Sequence, residues 1–237
     1  MNPKCCSTIP NGCVVFALTM LTASILARPM DLCSPNLEAT AMKHVPTLIV
    51  PIGAEQLLSR NCVVLSSTSE PEIGELRCIT DGNKDASESD NDNMVKLATG
   101  LQWVQLDLGV TQAVYGVCIW RHHKIPRIYR DVVVQLSNEP SFTKGVTTLF
   151  NNDHDNSSGL GLGTDKEYIE DHLGRCIPVV GIPTRYIRVY SNGYYSEGGI
   201  INPDSANYYT EIEVYGGVST TQETTTLVID IPRPQFL

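Results

Sequence analysis

Strict alternation of apolar and polar residues is the feature that most constrains the fold of this chain. In "WVQLDLG", Val104, Leu106 and Leu108 fall on one face of an extended strand, and Gln105 and Asp107 fall on the other. The segments "RYIRVYS" and "TEIEVYG" alternate in the same way. A period of two residues is typical of half-buried β-strands. The sequence therefore predicts several strands that each have one face in a core.

Two further segments are richer in apolar residues, as expected of central strands. These are "VYGVCIW" (114–120) and "DVVVQLS" (131–137). Turn-forming residues in "DLGVTQ", "SNEPSFTKG", "GIPT" and "SNG" separate the predicted strands. No stretch of ten residues has a convincing helical period. We therefore expect an all-β fold, an antiparallel β-sandwich of the jelly-roll type.

The two ends of the chain differ in composition from its centre. Residues 1–27 have one charge, Lys4, and an apolar run that ends in small residues, as in a secretory signal peptide; an uncleaved anchor is the alternative. Residues 28–52 are expected to be a linker, and 53–216 the folded domain. Residues 217–237 are Thr-rich and are expected to be a tail with one possible strand, Leu227–Ile231. Elsewhere the sequence predicts no transmembrane segment, and it predicts secretion to an extracellular or periplasmic location.

The chain is strongly acidic. It has 17 Lys and Arg against 26 Asp and Glu, a net charge of −9, and loss of Lys4 with the signal peptide makes it −10. Nucleic acids and anionic membranes need a positive surface. Neither is therefore expected as a general partner.

Cysteine usage leaves the disulfide pattern open. Once a signal peptide is removed, Cys33, Cys62, Cys78, Cys118 and Cys176 remain, and this odd number implies a free thiol or a pairing between chains. Disulfides are compatible with secretion. Cys118 lies inside an apolar run, so we expect it to be a buried free thiol.

The order of five segments resembles the coagulation-factor type C, or discoidin-like, domain of the galactose-binding-like superfamily. The segments are "LLSRNCVVLSSTSEPEIGELRCITDGNK", "LQWVQLDLG", "IYRDVVVQLSNEPSF", "RYIRVYSNG" and "YYTEIEVYG", and the resemblance covers roughly residues 53–216. It implies a jelly roll that acts as a binding module, often for carbohydrate and in other members for phospholipid or protein.

The chain departs from the family pattern in three places. After Asp81-Gly82-Asn83 the usual Thr-x-Trp is absent; "KDAS" (84–87) follows, and then an acidic polar insertion, "ESDNDN". No cysteine lies near Tyr215, so the disulfide that joins the domain ends in many animal members is absent. We also identify none of the apolar loop spikes that the membrane-binding members need.

The resemblance also implies a structural calcium ion where the first turn meets the last strand. Calcium takes six to eight oxygen ligands. The implied ligands are Asp81, Asn83 and Glu211, with Asp85 or Ser87 in place of the missing Thr. The alternative is a capped turn in which Asp81 bonds its own backbone.

The ten residues "RHHKIPRIYR" (121–130) form a basic segment on an acidic chain. Arg and His side chains donate to sugar hydroxyls and to carboxylate or sulfate groups. The residues expected to bind ligand here are Trp120, Arg121, His122, His123, Arg127 and Tyr129, the two aromatic residues by stacking. The alternatives are a solvated hairpin loop and, for Trp120, a place in the core.

The segment "NNDHDNSSG" (151–159) is expected to lie at the same end of the domain as the basic segment, because consecutive strands alternate in direction. We interpret it as a second wall of one site that contains Asn152, Asp153, His154 and Asp155. The alternatives are a plain Asx-rich turn and a metal loop, through an EF-hand-like register or a zinc ion shared with His122 or His123. Asn156 begins an N-glycosylation sequon.

A long polar and aromatic loop, 191–209, supplies the last candidates, Tyr194 and Tyr195, which can stack on sugar rings. The sequence has no nucleophile elbow, His-Glu-x-x-His or Gly-rich phosphate loop. We therefore predict a secreted, non-catalytic module for a carbohydrate or glycoconjugate, with an anionic glycan favoured by the cations of the basic segment. A protein- or cell-surface-adhesion module without a sugar ligand, and a small hydrolase, are the alternatives. The sequence predicts no oligomeric state.

Overall fold

The computed structural model describes residues 45–85, 94–196, 199–218 and 223–231. The predicted signal peptide, most of the predicted linker and Ser87 lie outside these residues. Among the described residues, the regular secondary structure is almost entirely β-strand, with a short 3-10 helix at Leu76–Thr80. The strands are β1 (Thr47–Pro51), β2 (Gln56–Leu57), β3 (Val63–Ser66), β4 (Val95–Thr99), β5 (Gln102–Trp120), β6 (Val133–Ser137), β7 (Thr147–Asn151), β8 (Arg175–Ser191), β9 (Tyr195–Ser196), β10 (Ile200–Ile201), β11 (Ala206–Tyr209), β12 (Glu211–Gly216) and β13 (Thr224–Val228).

Every strand pairing is antiparallel. The main sheet has seven strands in the order β2-β12-β5-β8-β6-β7, and β3 pairs with β5 beside this path. β1 pairs with β13, β4 with β11 and β9 with β10 in separate two-stranded ribbons. The predicted all-β, antiparallel class is confirmed.

The long strand β5 doubles back within the main sheet. Arg121 directly follows its last residue and donates to Ser191 at 3.0 Å, and Ser191 pairs with Gln102 at the first residue of β5. Both ends of β5 therefore lie together. The reversal falls at the irregular register between Asp107 and Gln112, so the strand bends from one layer of the sandwich to the other.

This bend changes the interpretation of two predicted turns. "DLGVTQ" and "GIPT" lie inside β5 and β8 rather than between shorter strands. The turn residues are present because both strands must bend there. Gly109 and Gly181 accordingly have positive φ angles of 80° and 70°.

Alternate residues of the central strands enter two cores. Val117 and Ile119 of β5 pack in the main core, whereas Cys118 and Trp120 pack in a second cluster on the other face. β12 divides in the same way, because Ile212 and Val214 belong to the main core and Tyr215 to the second cluster. A strand covered on both faces is buried throughout, as β12 is.

The β1–β13 ribbon covers that second cluster. Leu48 and Val50 of β1 and Ile229, just after β13, are buried in it. Residues 47–51, expected to be linker, are therefore a strand. The possible tail strand was expected at Leu227–Ile231; the observed strand, Thr224–Val228, overlaps it only at Leu227 and Val228. β1 is a strand rather than a linker because its residues alternate between exposed and buried, so every second residue meets the core.

The expectation of a free thiol at Cys118 is wrong. Cys118 and Cys176 form a disulfide across paired strands β5 and β8. The apolar run correctly predicts burial of Cys118, but its partner lies 58 residues away on a strand whose register the sequence does not reveal. Among the described residues, Cys62 and Cys78 are free.

Within the described ranges, no helix is long and apolar enough to cross a membrane.

Candidate functional site

Three loops meet at the end of the sandwich where both ends of β5 lie. Loop A, residues 121–132, joins β5 to β6; loop B, residues 152–174, joins β7 to β8; loop C, residues 192–205, joins β8 to β11 and carries β9 and β10. Backbone hydrogen bonds tie loop A to the other two. Asn152 donates to the Val132 carbonyl at 3.1 Å, and Tyr195 donates to the Ile128 carbonyl at 3.0 Å. The predicted meeting of segments 121–130 and 151–159 at one end is observed.

Arg121 of loop A is buried rather than presented to a ligand. Its guanidinium lies 4.5 Å from the Tyr129 ring centroid and 4.4 Å from that of Tyr209. Its Nε lies 3.4 Å from Oε1 of Glu170, which is also fully buried. Arg121 and Tyr129 were predicted to bind ligand, and the structure instead places both in the interior. The guanidinium is enclosed by aromatic faces and an acid, although its Nε has no hydrogen-bond partner.

Trp120 is also a correction. Its side chain is completely buried, and its Nε1 donates to the His172 carbonyl at 3.2 Å. The Lys84 ammonium lies over its ring, 4.7 Å from the centroid. The indole therefore presents no face to a sugar and belongs to the second core cluster, which was the alternative interpretation.

The histidines of loop A carry little positive charge. Burial, helped by the charge of Arg127, lowers the pKa of His122 to about 4. Burial also lowers the pKa of His123, whose Nδ1 lies 3.0 Å from the Arg121 carbonyl oxygen. Both rings are neutral at pH 7, so neither supplies the cation that was expected for an anionic ligand.

Arg127 remains half-exposed, but aromatic rings hold it. Its guanidinium carbon is 4.3 Å from the Tyr194 centroid and 4.9 Å from the Tyr208 centroid. Its Nη1 lies 3.4 Å from Nδ1 of His122. Arg127 and Tyr194 thus form one packed surface, which Tyr208 completes although the sequence did not single it out.

The front of loop B is organised by its own acidic and amide side chains. Asp153 is fully buried and accepts from the backbone nitrogens of Ser157 and Ser158, at 3.0 and 2.9 Å. Asn152 Oδ1 accepts from the Val132 nitrogen at 2.6 Å. Asp153 therefore shapes the loop by accepting from backbone nitrogens four and five residues on, and does not face a ligand as predicted. His154 and Asp155 are exposed on the same loop.

Metal binding through the histidine of loop B has no support in this geometry. Nε2 of His154 contacts the Asp165 carbonyl at 2.8 Å, whereas His122 contacts Arg127. The two imidazoles are therefore engaged separately, unlike the ligands of one zinc ion.

Two small depressions open on either side of Tyr195. The first, of about 220 Å³, is lined by Pro126, Arg127, Ile128, Ile169, Tyr195, Ser196 and Gly199. The second, of about 120 Å³, is lined by Arg130, Asp131, Asn152, His154, Asp155, Glu167, Tyr195 and Ile201. We call these the Arg127 depression and the Asp155 depression. All three loops contribute to them, and the half-buried ring of Tyr195 is the wall that they share.

Tyr195 interacts with Glu167, a residue that sequence reasoning missed. Burial, followed by a hydrogen bond to Glu167, raises the pKa of Tyr195 to about 12. The hydroxyl therefore stays protonated and can donate to that carboxylate. Arg130, Asp131, Glu167 and Ile201 were also not predicted, because only the meeting of the three loops places them around one opening.

The predicted calcium residues meet at Glu211, the first residue of β12. The backbone nitrogen of Gly82 donates to Oε2 of Glu211 at 3.0 Å, which joins the Asp81 turn to the last strand. Asp81 Oδ1 accepts from the Asn83 nitrogen at 2.8 Å, and Asn83 Oδ1 accepts from the Asp85 nitrogen at 3.1 Å. The capped turn is thus present. Burial, with nearby Glu213 and Asp81, raises the pKa of Glu211 to about 9.

These residues fit a hard cation in ligand type. A carboxylate buried this deeply lacks a matched positive partner, because Lys84 pairs with Glu213 at 2.9 Å instead. Arg60 Nη1 donates to the Asp81 carbonyl oxygen, so this guanidinium would have to move if that carbonyl became a ligand. Ser87 lies outside the described residues.

No protein-family model matches the chain, and no curated protein matches it. Among solved structures it is similar to chitosan-binding module 1 of a chitosanase/glucanase from Paenibacillus sp. IK-5, with a TM-score of 0.46, 20% identity and coverage of 68% of this chain and 99% of the module. It is also similar to the lectin domain of lectinolysin, complexed with Lewis B antigen. Here the TM-score is 0.45 at 15% identity, and the match covers 69% of this chain and 98% of that domain. A third similar structure is a CBM32 module produced by Clostridium perfringens, in complex with glcNAc-alpha-1,4-galactose. Its TM-score is 0.44 at 17% identity, and the match covers 68% of this chain and 93% of the module.

These comparisons leave the ligand open. The strand pairing itself agrees with the resemblance seen in the sequence. "WVQLDLG", "RYIRVYS" and "EIEVYG" lie in β5, β8 and β12, which are neighbours in the main sheet. The chain is an antiparallel β-sandwich whose strand pairing is compatible with the discoidin-like resemblance.

Proposed function

We propose that this chain is a secreted, non-catalytic carbohydrate-binding module that holds a short glycan across Tyr195. The observation that carries the proposal is the pair of depressions that share this ring. Small-ligand sites combine an apolar wall with a few convergent polar groups. Here the Tyr195 ring and two isoleucines, Ile169 and Ile201, supply the apolar surface, and the loop side chains supply donors and acceptors.

The geometry of the acids supports a binding role rather than hydrolysis. A glycosidase needs two carboxyl groups that are free to exchange protons on either side of the scissile bond. Asp153 is instead fully buried under hydrogen bonds from Ser157 and Ser158. Asp131 accepts from Ser157 Oγ and Asn192 Nδ2, at 2.9 and 2.8 Å. These two carboxylates hold the loops in shape.

A glycan array tests the proposal with wild type and Tyr195→Ala. Loss of one aromatic contact is worth about 1 kcal/mol, so binding should weaken about fivefold at unchanged melting temperature. Phe142→Ala is the control, since this aromatic residue lies in the β6–β7 turn at the opposite end of the sheet. Binding that survives Tyr195→Ala, or an array with no bound glycan, contradicts the proposal.

The protein-adhesion alternative has one observation in its favour. Ile125, Ile200 and Ile201 are 57%, 68% and 55% exposed on loops A and C. Such apolar side chains are common at protein interfaces when they are contiguous. An array with no hits, together with capture of a cell-surface protein that Ile200→Ser abolishes, would favour this function over the first.

We further propose that a calcium ion at Asp81 and Glu211 stabilises the module. Asp81, Asn83, Asp85 and Glu211 would hold it, and the ion would supply the positive charge that the buried Glu211 carboxylate lacks. Its role is structural, because it ties the turn after the 3-10 helix to the last strand of the main sheet.

A further inference from the structure

Loop B carries the only N-glycosylation sequon of the chain, Asn156-Ser157-Ser158. Such a sequon has a serine or threonine two positions after the asparagine, with any residue except proline between them. No other asparagine of the sequence meets this condition. The proposed function leaves the sequon unused, because both depressions beside Tyr195 are lined without these three residues.

The structure presents Asn156 at the surface. Its side chain is exposed, and its backbone has a positive φ of 58°, a conformation in which asparagine is enriched. Its carbonyl oxygen accepts from the Gly159 nitrogen at 3.1 Å, which closes the turn. The sequon therefore lies on an ordered, accessible turn rather than in the core.

The amide group of Asn156 has one end held by the loop. Its Oδ1 accepts from the Gly161 nitrogen at 2.7 Å, which settles the orientation of the amide. Its Nδ2 makes no hydrogen bond to any described residue. A sugar attached to Nδ2 would leave the carbonyl oxygen free to accept from Gly161. Loop B can therefore carry the modification in its folded conformation.

The surroundings of Asn156 have room for a bulky group. Gly159 and Gly161 have positive φ angles, and a Cβ atom added at either would meet no atom within 4 Å. The next residue, Leu162, is 72% exposed. A glycan is large and solubilising, so one attached here would meet no obstacle at these glycines and would lie beside an exposed apolar side chain.

We infer that Asn156 is an N-glycosylation site, so that the module carries a glycan of its own on loop B. The inference rests on the secretion that the proposed function includes. The donor is an oligosaccharide linked to a polyprenyl diphosphate. A bond forms between Nδ2 and C1 of the first sugar, the bond from C1 to the phosphate oxygen breaks, the polyprenyl diphosphate leaves, and the amide proton passes to a base of the transferase.

The transfer has to precede the closing of loop B. In the folded loop, both the nitrogen and Oγ of Ser158 donate to Oδ2 of Asp153. The hydroxyl group that defines the sequon is therefore engaged once the loop has formed. The transferase acts on the open chain, and the loop then folds with the sugar on its outer side.

Expression of the whole chain in secreting animal cells tests the inference. Protein from the medium should have an intact mass above that of the polypeptide. Treatment with a peptide N-glycosidase in heavy-oxygen water should remove the added mass and place the oxygen label at position 156. Peptide mass spectrometry locates that label.

Variants of the sequon separate glycosylation from damage to the loop. Ser158→Thr keeps a hydroxyl group and should keep the glycan, whereas Ser158→Ala should lose it. Asn156→Asp keeps an acceptor for Gly161 and should also lose it, so this variant decides the question if Ser158→Ala fails to fold. Ser157→Ala is the matched control. It removes the hydroxyl that donates to Asp131 at 2.9 Å but leaves the sequon intact, and should keep the glycan.

The outcomes separate this inference from the proposed function. Secreted protein without added mass overturns the inference and leaves the binding module in place. Added mass that persists in both Ser158→Ala and Asn156→Asp also overturns it, because the sugar would then lie elsewhere, as on the Thr-rich tail. A chain that stays inside the cells, unglycosylated and with residues 1–27 uncleaved, overturns the proposed secretion and this inference together.

Discussion

The buried pair of Arg121 and Glu170 shows how one residue can fix the shape of a binding surface without touching ligand. Arg121 follows β5 directly, and Glu170 donates its backbone nitrogen to the Arg127 carbonyl at 2.8 Å. The pair thus joins loops A and B beneath the Arg127 depression. Neither oxygen of the Glu170 carboxyl group has a hydrogen-bond partner. Such a carboxyl group holds a proton more readily than one in water.

Stability should therefore depend on the protonation of Glu170. Burial raises its pKa from 4.5 to about 7, against the opposing effect of Arg121. The folded state binds this proton more tightly than the unfolded state, so the contribution is complete below pH 4.5 and is lost as the pH rises to about 7. The shift corresponds to about 3 kcal/mol. Urea unfolding from pH 4 to 8 should show a fall in wild type that Glu170→Gln lacks, and parallel curves would contradict this assignment.

At the scale of single residues, the sequence could not predict the direction in which a side chain points. The composition of loop A shows its cations but does not predict that Arg121 turns inward. Its acidic partner, Glu170, lies 49 positions further along the chain. Its other contacts come from Tyr129, Ser191 and Tyr209. Residues that are not fully buried in the loops were easier to identify. Asp155 and Tyr195 were both predicted from local composition, and both line a depression.

At the scale of elements, β12 connects the Asp81 turn to the main sheet. It pairs with β5 along its length and with β2 at Tyr215 and Gly216, and Glu211 at its first residue accepts from Gly82. The sequence placed Asp81 and Glu211 together only through the family resemblance. No periodicity in the chain predicts a contact over 129 positions.

Calcium should stabilise the protein through this contact. At about 100 times its dissociation constant, an ion that binds only the folded state adds about 2.7 kcal/mol. The measurement is thermal melting with calcium and with a chelator, and Glu211→Gln should abolish the difference because it removes the buried carboxylate. Magnesium is a useful control, since it demands a smaller, octahedral site. Equal melting temperatures in calcium and chelator would rule out the ion.

At the scale of the whole molecule, the folded domain extends further along the chain than its sequence indicates. Alternation identified the strands of the main sheet, because their buried faces are apolar, and it predicted the class correctly. The ends were harder to assign. "TTTLV" in β13 has no apolar alternation and reads as a tail, yet it pairs residue by residue with β1, from Thr47 with Val228 to Pro51 with Thr224. Pairing between distant ends depends on the second core cluster, which only the folded sheet creates.

The terminal ribbon should therefore contribute to the stability of the whole domain. Ile229 is 1% exposed and packs with Leu48 and Trp120, and its nitrogen donates to the Pro46 carbonyl at 3.0 Å. Ile229→Ala should lower the free energy of unfolding by about 2–4 kcal/mol, through lost transfer energy and a cavity. Val228→Ala is the neighbouring control, since Val228 is 61% exposed and should change stability by about 0.5 kcal/mol or less. Urea denaturation followed by tryptophan fluorescence measures both, because Trp120 lies in the cluster that Ile229 covers. A single cooperative transition that moves to lower urea in Ile229→Ala alone would show that the ribbon folds with the sandwich. If both variants unfold like wild type, the ribbon is a dispensable attachment and the domain ends near Gly216.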